Sequence, residues 1–129
     1  MRFKGLATTS LAHGYDVGDE VLTEVARRIR NTLRESDLAA RWAGEEFIVL
    51  ATETALDDTV HLARRLQHRI AHEPVGAVID LTASFGVTAY APGRDSIQSL
   101  IGRADAALVM AKESGRNCIR VDSGVAEAL

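Results

Sequence analysis

The feature that most constrains the fold is the pentapeptide at residues 43–47, which reads Ala-Gly-Glu-Glu-Phe. A small pair, two acids and then the apolar run 47–50 predict a tight β-hairpin with carboxylates at its tip. Glycine permits unusual backbone dihedral angles and lets a ligand approach the backbone closely. Adjacent carboxylates at such a tip can hold a divalent metal against a phosphate. An ordinary turn with solvated acids fits the same five residues, so both interpretations stay open at this point.

Composition places the chain among ordinary globular domains. Its 129 residues are 47% hydrophobic and 26% charged, as expected of one domain with its own core. The net charge of −3 does not favour nucleic acid or an anionic membrane as a partner. The single cysteine, Cys118, cannot form an internal disulfide and fits a reducing cytoplasm. No apolar run approaches the roughly 20 residues of a membrane span, so we expect a cytoplasmic protein without a membrane segment.

Hydrophobic periodicity predicts helices alternating with strands. The helices are expected over residues 19–34, 54–74 and 95–115, and the strands over residues 38–42, 46–51, 77–90 and 117–121. Arg28 falls on the polar face of the first helix, and Trp42 is expected to pack beneath the hairpin. A Thr54–Asp57 capping box is expected to start the second helix. Gly86 predicts a bulge or a close backbone approach.

Several short motifs stand in a fixed order around the pentapeptide. Gly18-Asp19 opens the first helix, and Arg34-x-x-Asp37 ends it, five residues before the pentapeptide. The later motifs cover residues 83–87, 103–107 and 111–117. Each motif is weak alone. The ordered set, over about residues 14–121, closely resembles the GGDEF family, the catalytic domains of bacterial diguanylate cyclases.

This resemblance implies both a fold and an activity. The fold would be α/β (α+β), a central mixed sheet flanked by helices, similar to nucleotide cyclases and polymerase palms. In such domains two GTP molecules, one on each subunit of an antiparallel homodimer, are joined into cyclic di-GMP. Each 3′-hydroxyl attacks the α-phosphate of the other GTP and releases pyrophosphate, with Mg²⁺ (or Mn²⁺) bound at the phosphates. Family members usually follow an upstream sensor or receiver domain.

The resemblance also implies roles for residues around the hairpin. Glu45 and Glu46 would be catalytic, and Glu46 would be the metal ligand. Ala43 and Gly44 would let the nucleotide approach the hairpin backbone. Asp19 would hydrogen-bond the guanine edge, because guanine presents two N–H donors side by side and a carboxylate can accept both.

Two further sites are implied, each with a simpler alternative. Lys112 and Arg116, four residues apart at a helix end, would hold the terminal phosphates. A helix C-terminus rich in cations, favoured by the macrodipole, explains them equally well. Arg34 and Asp37 would form the product-inhibition site for cyclic di-GMP, with Arg65 supplied by a neighbouring subunit and Arg64 and Arg69 as close alternatives on the same helix. The alternative for that pair is a solvated helix end with a weak surface ion pair.

The N-terminal residues depart from the family pattern. Residues 1–17 show no clean period, so no strand is expected before the first helix, and the family's first helix and central strand would be missing or replaced. The family's strand carries a metal-binding Asp and then Phe-Lys. Phe3-Lys4 would be a relic of that pair, with Met1 at the position of the Asp. Counting back from Asp19 puts Ser10 at the position of an Asn that contacts guanine. We therefore divide the chain into an altered segment, residues 1–13, and the domain, residues 14–129.

Losing the central strand would expose the edges of its two neighbours, unless residues 1–13 fill the gap or another chain lends a strand.

Three functional hypotheses follow from the sequence. The chain could be an active diguanylate cyclase with an RxxD product-inhibition site. It could instead be a catalytically impaired module that binds cyclic di-GMP or mediates dimerisation. The third hypothesis is a remnant that binds nothing.

Overall fold

The fold is a mixed β-sheet covered by helices, as the sequence predicted. The computed structural model describes residues 3–12, 18–75 and 81–123. In chain order the elements are β1 (Phe3–Ala12), α1 (Asp19–Thr32), β2 (Leu38–Ala43), β3 (Glu46–Thr52), α2 (Leu56–His72), β4 (Thr82–Ala89), α3 (Ile97–Glu113) and β5 (Ile119–Asp122). The strand order in the sheet is β2-β3-β1-β4-β5, with β1 antiparallel to both neighbours and β5 parallel to β4.

The central strand is β1, so the expectation that no strand precedes the first helix was wrong. Its residues pair with β3 as far as Ser10↔Glu46 and with β4 as far as Ala12↔Thr82. Residues 5–11 are all buried, because helices pack on both faces of the sheet at this strand. A strand buried on both faces has no polar alternation to reveal it. Of the alternatives for the gap, the N-terminal residues fill it, and both neighbouring strands find their partner within the chain.

The interpretation of Phe3-Lys4 as a relic of the family pair stays a prediction. Phe3 begins β1 and pairs with Thr52, the last residue of β3. The other end of the strand, at Ser10, lies beside the hairpin turn. Met1 and the proposed boundary between residues 13 and 14 fall outside the described residues, so the division of the chain there stays a prediction.

The two faces of the sheet are covered differently. The main core lies on the α1 and α2 side, where Leu11, Ile29, Leu66 and Phe85 are at most 1% exposed. On the opposite face α3 covers a smaller cluster of four buried residues, Leu6, Ile48, Leu100 and Ala104. The edge strand β2 is exposed along its whole length. Trp42 on that strand is 51% exposed, so the prediction that it packs beneath the hairpin was wrong.

Arg28 joins α1 to the end of α2 and is buried rather than solvated, contrary to its predicted place on a polar face. Its guanidinium donates to the carbonyls of Ile70 at 3.0 Å and Glu73 at 2.8 Å, and to two further carbonyls of the same turn. Its Nε lies 2.6 Å from Glu24. The last carbonyls of a helix lack intrahelical partners, so a cation placed there satisfies them and complements the helix dipole.

Helix α3 approaches the sheet most closely at Gly86, which confirms the predicted close backbone approach. A Cβ at this position would lie 2.1 Å from the Ala104 carbonyl oxygen and 2.4 Å from the Leu108 nitrogen. The Thr8 hydroxyl donates to the same Ala104 carbonyl at 3.3 Å. Glycine is therefore required for α3 to lie this near to β1 and β4.

We expect Gly86→Ala to destabilise the fold by about 3 kcal/mol, since the added methyl meets helix backbone that cannot rotate away. The matched control is Gly102→Ala, where nothing lies within 4 Å of the new Cβ. That change should stabilise α3 by about 0.5–1 kcal/mol. Urea denaturation of both variants tests the prediction, and equal stabilities would contradict the close approach.

Candidate functional site

The pentapeptide forms the predicted hairpin between β2 and β3. Gly44 has a φ of +49°, so the left-handed backbone conformation falls on glycine and not on Ala43. Ala43 is the last residue of β2 and pairs with Glu46. Arg41 Nε donates to the Gly44 carbonyl at 2.8 Å and holds the turn. The hairpin therefore tolerates alanine at its first position and presents Glu45 and Glu46 at its tip.

An ion pair joins the hairpin to the end of α3. Lys112 Nζ lies 3.1 Å from Glu46 Oε2, and the two side chains are 27% and 31% exposed. These residues are far apart in sequence and are brought together because α3 crosses the face of the sheet on which Glu46 lies. A half-exposed carboxylate and ammonium in contact can each exchange their partner for a charged ligand.

Arg116 follows Gly115 just beyond α3, so Lys112 and Arg116 lie at one helix end, as the sequence predicted. The helix ends at Glu113, and Gly115 takes a φ of +105°. The Arg116 amide donates back to the Ala111 carbonyl at 3.1 Å and the Gly115 amide to the Lys112 carbonyl at 3.3 Å. This is a Schellman motif, with glycine at C′ as predicted. The motif ties the exposed Arg116 to the same helix end as Lys112.

Beneath the hairpin, β1 and α3 bring together polar groups that the sequence analysis missed or misplaced. Ser10, at the position that counting back from Asp19 gives to an Asn, lies in β1 and pairs directly with Glu46 of β3. Among the described residues, neither Ser10 Oγ nor Asp105 Oδ1 has a hydrogen-bond partner, although both atoms are buried. Burial and the nearby Glu46 carboxylate raise the pKa of Asp105, against a hydrogen bond with Thr8 and the charge of Lys112.

Asp105 could have been found from its spacing. It precedes Lys112 by seven residues, two helical turns, so both side chains leave the same side of α3. Ile101, one turn earlier, packs on the small core cluster beneath that side.

Asp19 borders a groove on the other face of the sheet. It lies exposed in the first turn of α1, at one end of a groove of about 820 Å³ between α1 and β2. The lining includes apolar residues such as Ile29 and Phe47 and also reaches Arg34 and Asp37. The structure thus places Asp19 and the Arg34-x-x-Asp37 pair along one groove, and Glu46 and Lys112 on the α3 side of the hairpin.

Arg34 and Asp37 form more than a surface ion pair. The Asp37 side chain is only 2% exposed and accepts the backbone amides of Arg34 and Thr52, each at 3.1 Å. Arg34 Nη2 lies 3.2 Å from Asp37 Oδ1 and also donates to the Thr52 carbonyl at 2.7 Å and to Thr54 Oγ1 at 2.6 Å. Yet the Arg34 side chain stays 58% exposed, so part of its guanidinium faces solvent.

Two other predictions concern residues near this pair. Thr54 is engaged with Arg34, and α2 has Ala55 at its N-cap without a side-chain cap, so the predicted capping box was wrong. Arg65 is exposed on α2 and, in the described part of the chain, forms no hydrogen bond or ion pair with Arg34 or Asp37. Its assignment to a neighbouring subunit stays a prediction.

We expect the buried Asp37 carboxylate to make stability depend on acid pH. Burial raises its pKa, but the hydrogen bonds from Arg34 and from the backbone amides outweigh burial and hold the pKa below the ordinary value of 3.8. Its contribution is therefore present above about pH 4 and is lost as the pH falls further. Asp37→Asn should cost about 1–3 kcal/mol at neutral pH and show a shallower loss in acid, measured by urea denaturation from about pH 6 to 3. The exposed Asp57→Asn is the control, and parallel pH curves for wild type and Asp37→Asn would contradict the prediction.

Known proteins resemble this chain in sequence over most of its length. The family model described as "Diguanylate cyclase, GGDEF domain" matches residues 2–118. Among curated proteins, the chain is 39% identical over 111 residues to Response regulator PleD of Caulobacter vibrioides, covering 82% of this chain and 24% of that protein. It is 40% identical over 105 residues to Diguanylate cyclase DgcM of Escherichia coli, covering 81% of this chain and 25% of that protein.

A solved structure is also similar. Diguanylate cyclase SiaD of Pseudomonas aeruginosa, in complex with its activator SiaC, matches with a TM-score of 0.85 and 35% identity, covering 94% of this chain and 50% of that one. The chain therefore belongs to the GGDEF domain family. It spans about a quarter of the length of the first two relatives named here. In the described ranges, no helix is both long and apolar enough to cross a bilayer.

Proposed function

We propose that this domain is a half-site of a diguanylate cyclase, which condenses two GTP molecules into cyclic di-GMP. The observation that carries the proposal is the Glu46–Lys112 contact of 3.1 Å, made between the hairpin tip and the end of α3. A carboxylate for a cation and an ammonium for a phosphate thus stand side by side. Phosphoryl transfer requires little else from a protein than positioning and neutralisation of charge.

The other residues take roles that agree with this arrangement. Lys112 and Arg116, at one helix end, would bind the terminal phosphates. Gly44 leaves room for the nucleotide at the hairpin, and nothing lies within 4 Å of the position of its absent Cβ. Asp19 would accept the guanine N–H donors, and Glu45, the other acid of the hairpin tip, would face the second nucleotide.

A divalent cation fits the donors beneath the hairpin. Mg²⁺ and Mn²⁺ take oxygen ligands, and Mg²⁺ is usually held by one or two carboxylates together with substrate phosphates. Glu46 offers a carboxylate beside the hydroxyl of Ser10, which lacks a partner within the described residues. These ranges contain no group of three or more His, Cys, Asp or Glu that could hold a metal alone. The cation would supply neutralisation of the triphosphate charge.

One domain binds one GTP in this proposal, so the reaction needs a homodimer with the two sites face to face. The 3′-hydroxyl of each GTP attacks the α-phosphate of the other, and pyrophosphate leaves. The proposal also implies a cytoplasmic location, where GTP is available, and control by an upstream sensor or receiver domain.

Incubation of the purified chain with GTP and Mg²⁺ tests the proposal, with cyclic di-GMP measured by chromatography. Glu46→Gln keeps the side-chain shape and removes the charge, so we expect product formation to fall by about 100-fold or more. Asp57→Asn, an exposed acid on α2, is the control and should leave the rate unchanged. A wild-type chain that forms no product, or a Glu46→Gln variant as active as the wild type, would refute this assignment.

A specific observation favours a second function, that of a catalytically impaired module which binds cyclic di-GMP or mediates dimerisation. The residues of β1 read FKGLATTSLA, so the strand that faces Glu46 contains no acid. The Arg34–Asp37 pair does not depend on an acid in β1. Its carboxylate is fixed by hydrogen bonds while its guanidinium remains partly exposed, which suits an anionic or guanine-containing ligand.

Binding of cyclic di-GMP, measured by calorimetry, tests this second function. Arg34→Ala should weaken binding by more than about tenfold, since it removes a bidentate cation. Arg65→Ala should weaken binding only where the product-inhibition site is shared between subunits, and Arg64→Ala and Arg69→Ala, on the same helix, test the alternative arginines. No binding of cyclic di-GMP by the wild type would refute the module, and no binding of GTP either would leave the remnant hypothesis.

A further inference from the structure

We propose that Asp105 supplies the second carboxylate of a divalent cation site, together with Glu46 and the hydroxyl of Ser10. The inference rests on the proposed function, because it concerns the cation that the GTP half-site would use. The central strand β1 contains no acid. The inference places the second acid of the site on α3 instead.

The placement of the three groups follows from register and helix contacts. Ser10 and Glu46 are directly paired across β1 and β3, so their side chains lie on the same face of the sheet. Thr8, two residues earlier on that face, donates to the carbonyl of Ala104, the residue before Asp105. Asp105 therefore leaves α3 directly over this part of β1, close enough to the Glu46 carboxylate for the two negative charges to repel each other.

The unsatisfied atoms are the independent sign of a ligand. Ser10 is 1% exposed, and its Oγ has no partner among the described residues; the same holds for Asp105 Oδ1. Buried polar atoms almost always have hydrogen-bond partners, because burying one without compensation is costly. Two such oxygens beside Glu46 indicate a position that a bound group completes.

The charges select a cation for that position. Two carboxylates and a hydroxyl are all oxygen donors, which suits Mg²⁺ or Mn²⁺. In the structure the Lys112 ammonium neutralises the Glu46 carboxylate. A divalent cation held by Glu46 and Asp105 would release Lys112, and the freed ammonium would then be available to the terminal phosphates. The cation and Lys112 thus compete for one carboxylate.

Titration with Mn²⁺ in the absence of nucleotide tests the inference, with free Mn²⁺ measured by its electron paramagnetic resonance signal. Asp105→Asn keeps the shape of the side chain, and we expect it to weaken Mn²⁺ binding by at least about tenfold, as should Glu46→Gln. Asp57→Asn is the control for a general loss of surface charge and should bind as the wild type does. Circular dichroism establishes that each variant is folded.

Lys112→Gln provides a second test that does not depend on the stability of Asp105→Asn. Removal of the competing ammonium should strengthen Mn²⁺ binding several-fold. Unchanged binding in a folded Asp105→Asn, unchanged or weaker binding in Lys112→Gln, or no Mn²⁺ binding by the wild type would each overturn the inference. These variant effects in a chain that makes no cyclic di-GMP would uphold the cation site and refute the proposed activity alone.

Discussion

The structure depends on the hydrogen-bonding requirement of the central strand. β1 pairs antiparallel with β3 on one side and β4 on the other, so it joins the hairpin to the part of the sheet that carries α3. Without it, the two neighbours would expose unpaired backbone groups to water or to another chain. The small residues of β1 suit this position, because helices press on both faces of the sheet there. Gly5 lies against Thr59 of α2, as Gly86 on the next strand lies against α3.

The candidate site is a consequence of that close packing. Since Gly86 lets α3 lie against the sheet, the last turn of the helix brings Lys112 to Glu46. An earlier turn, which carries Asp105, lies over Thr8 of β1, two residues before Ser10. The same close packing leaves buried oxygen atoms of Ser10 and Asp105 without hydrogen-bond partners in the described part of the chain. The Arg34–Asp37 pair is built differently, from a helix end and the last residues of β3, and lies along the groove that reaches Asp19.

Much of the fold was predictable because its elements have one buried face. The helices α1, α2 and α3, the hairpin and the helix end at Gly115 follow from periodicity and turn chemistry, and the structure confirms them. β1 could not be predicted, because a strand buried on both faces and rich in Ala, Thr and Ser has no period. Arg28 was misassigned for a related reason. It occupies a polar position of α1, but the neighbour that buries it is the end of α2, 42 residues away.

The candidate site also has features that the sequence predicts and features that only the tertiary structure sets. The sequence by itself determined the local features: the acidic hairpin with glycine at its turn, the Arg34-x-x-Asp37 spacing, and the order of motifs that marks the family. These depend on neighbours in the chain, whose geometry is set by backbone dihedral angles and short-range contacts. Only the tertiary structure decided that Ser10 faces Glu46, that Lys112 contacts it and that Asp105 leaves α3 close to the same carboxylate. Those relations join residues from different strands and helices, and strand register and helix packing set their distances.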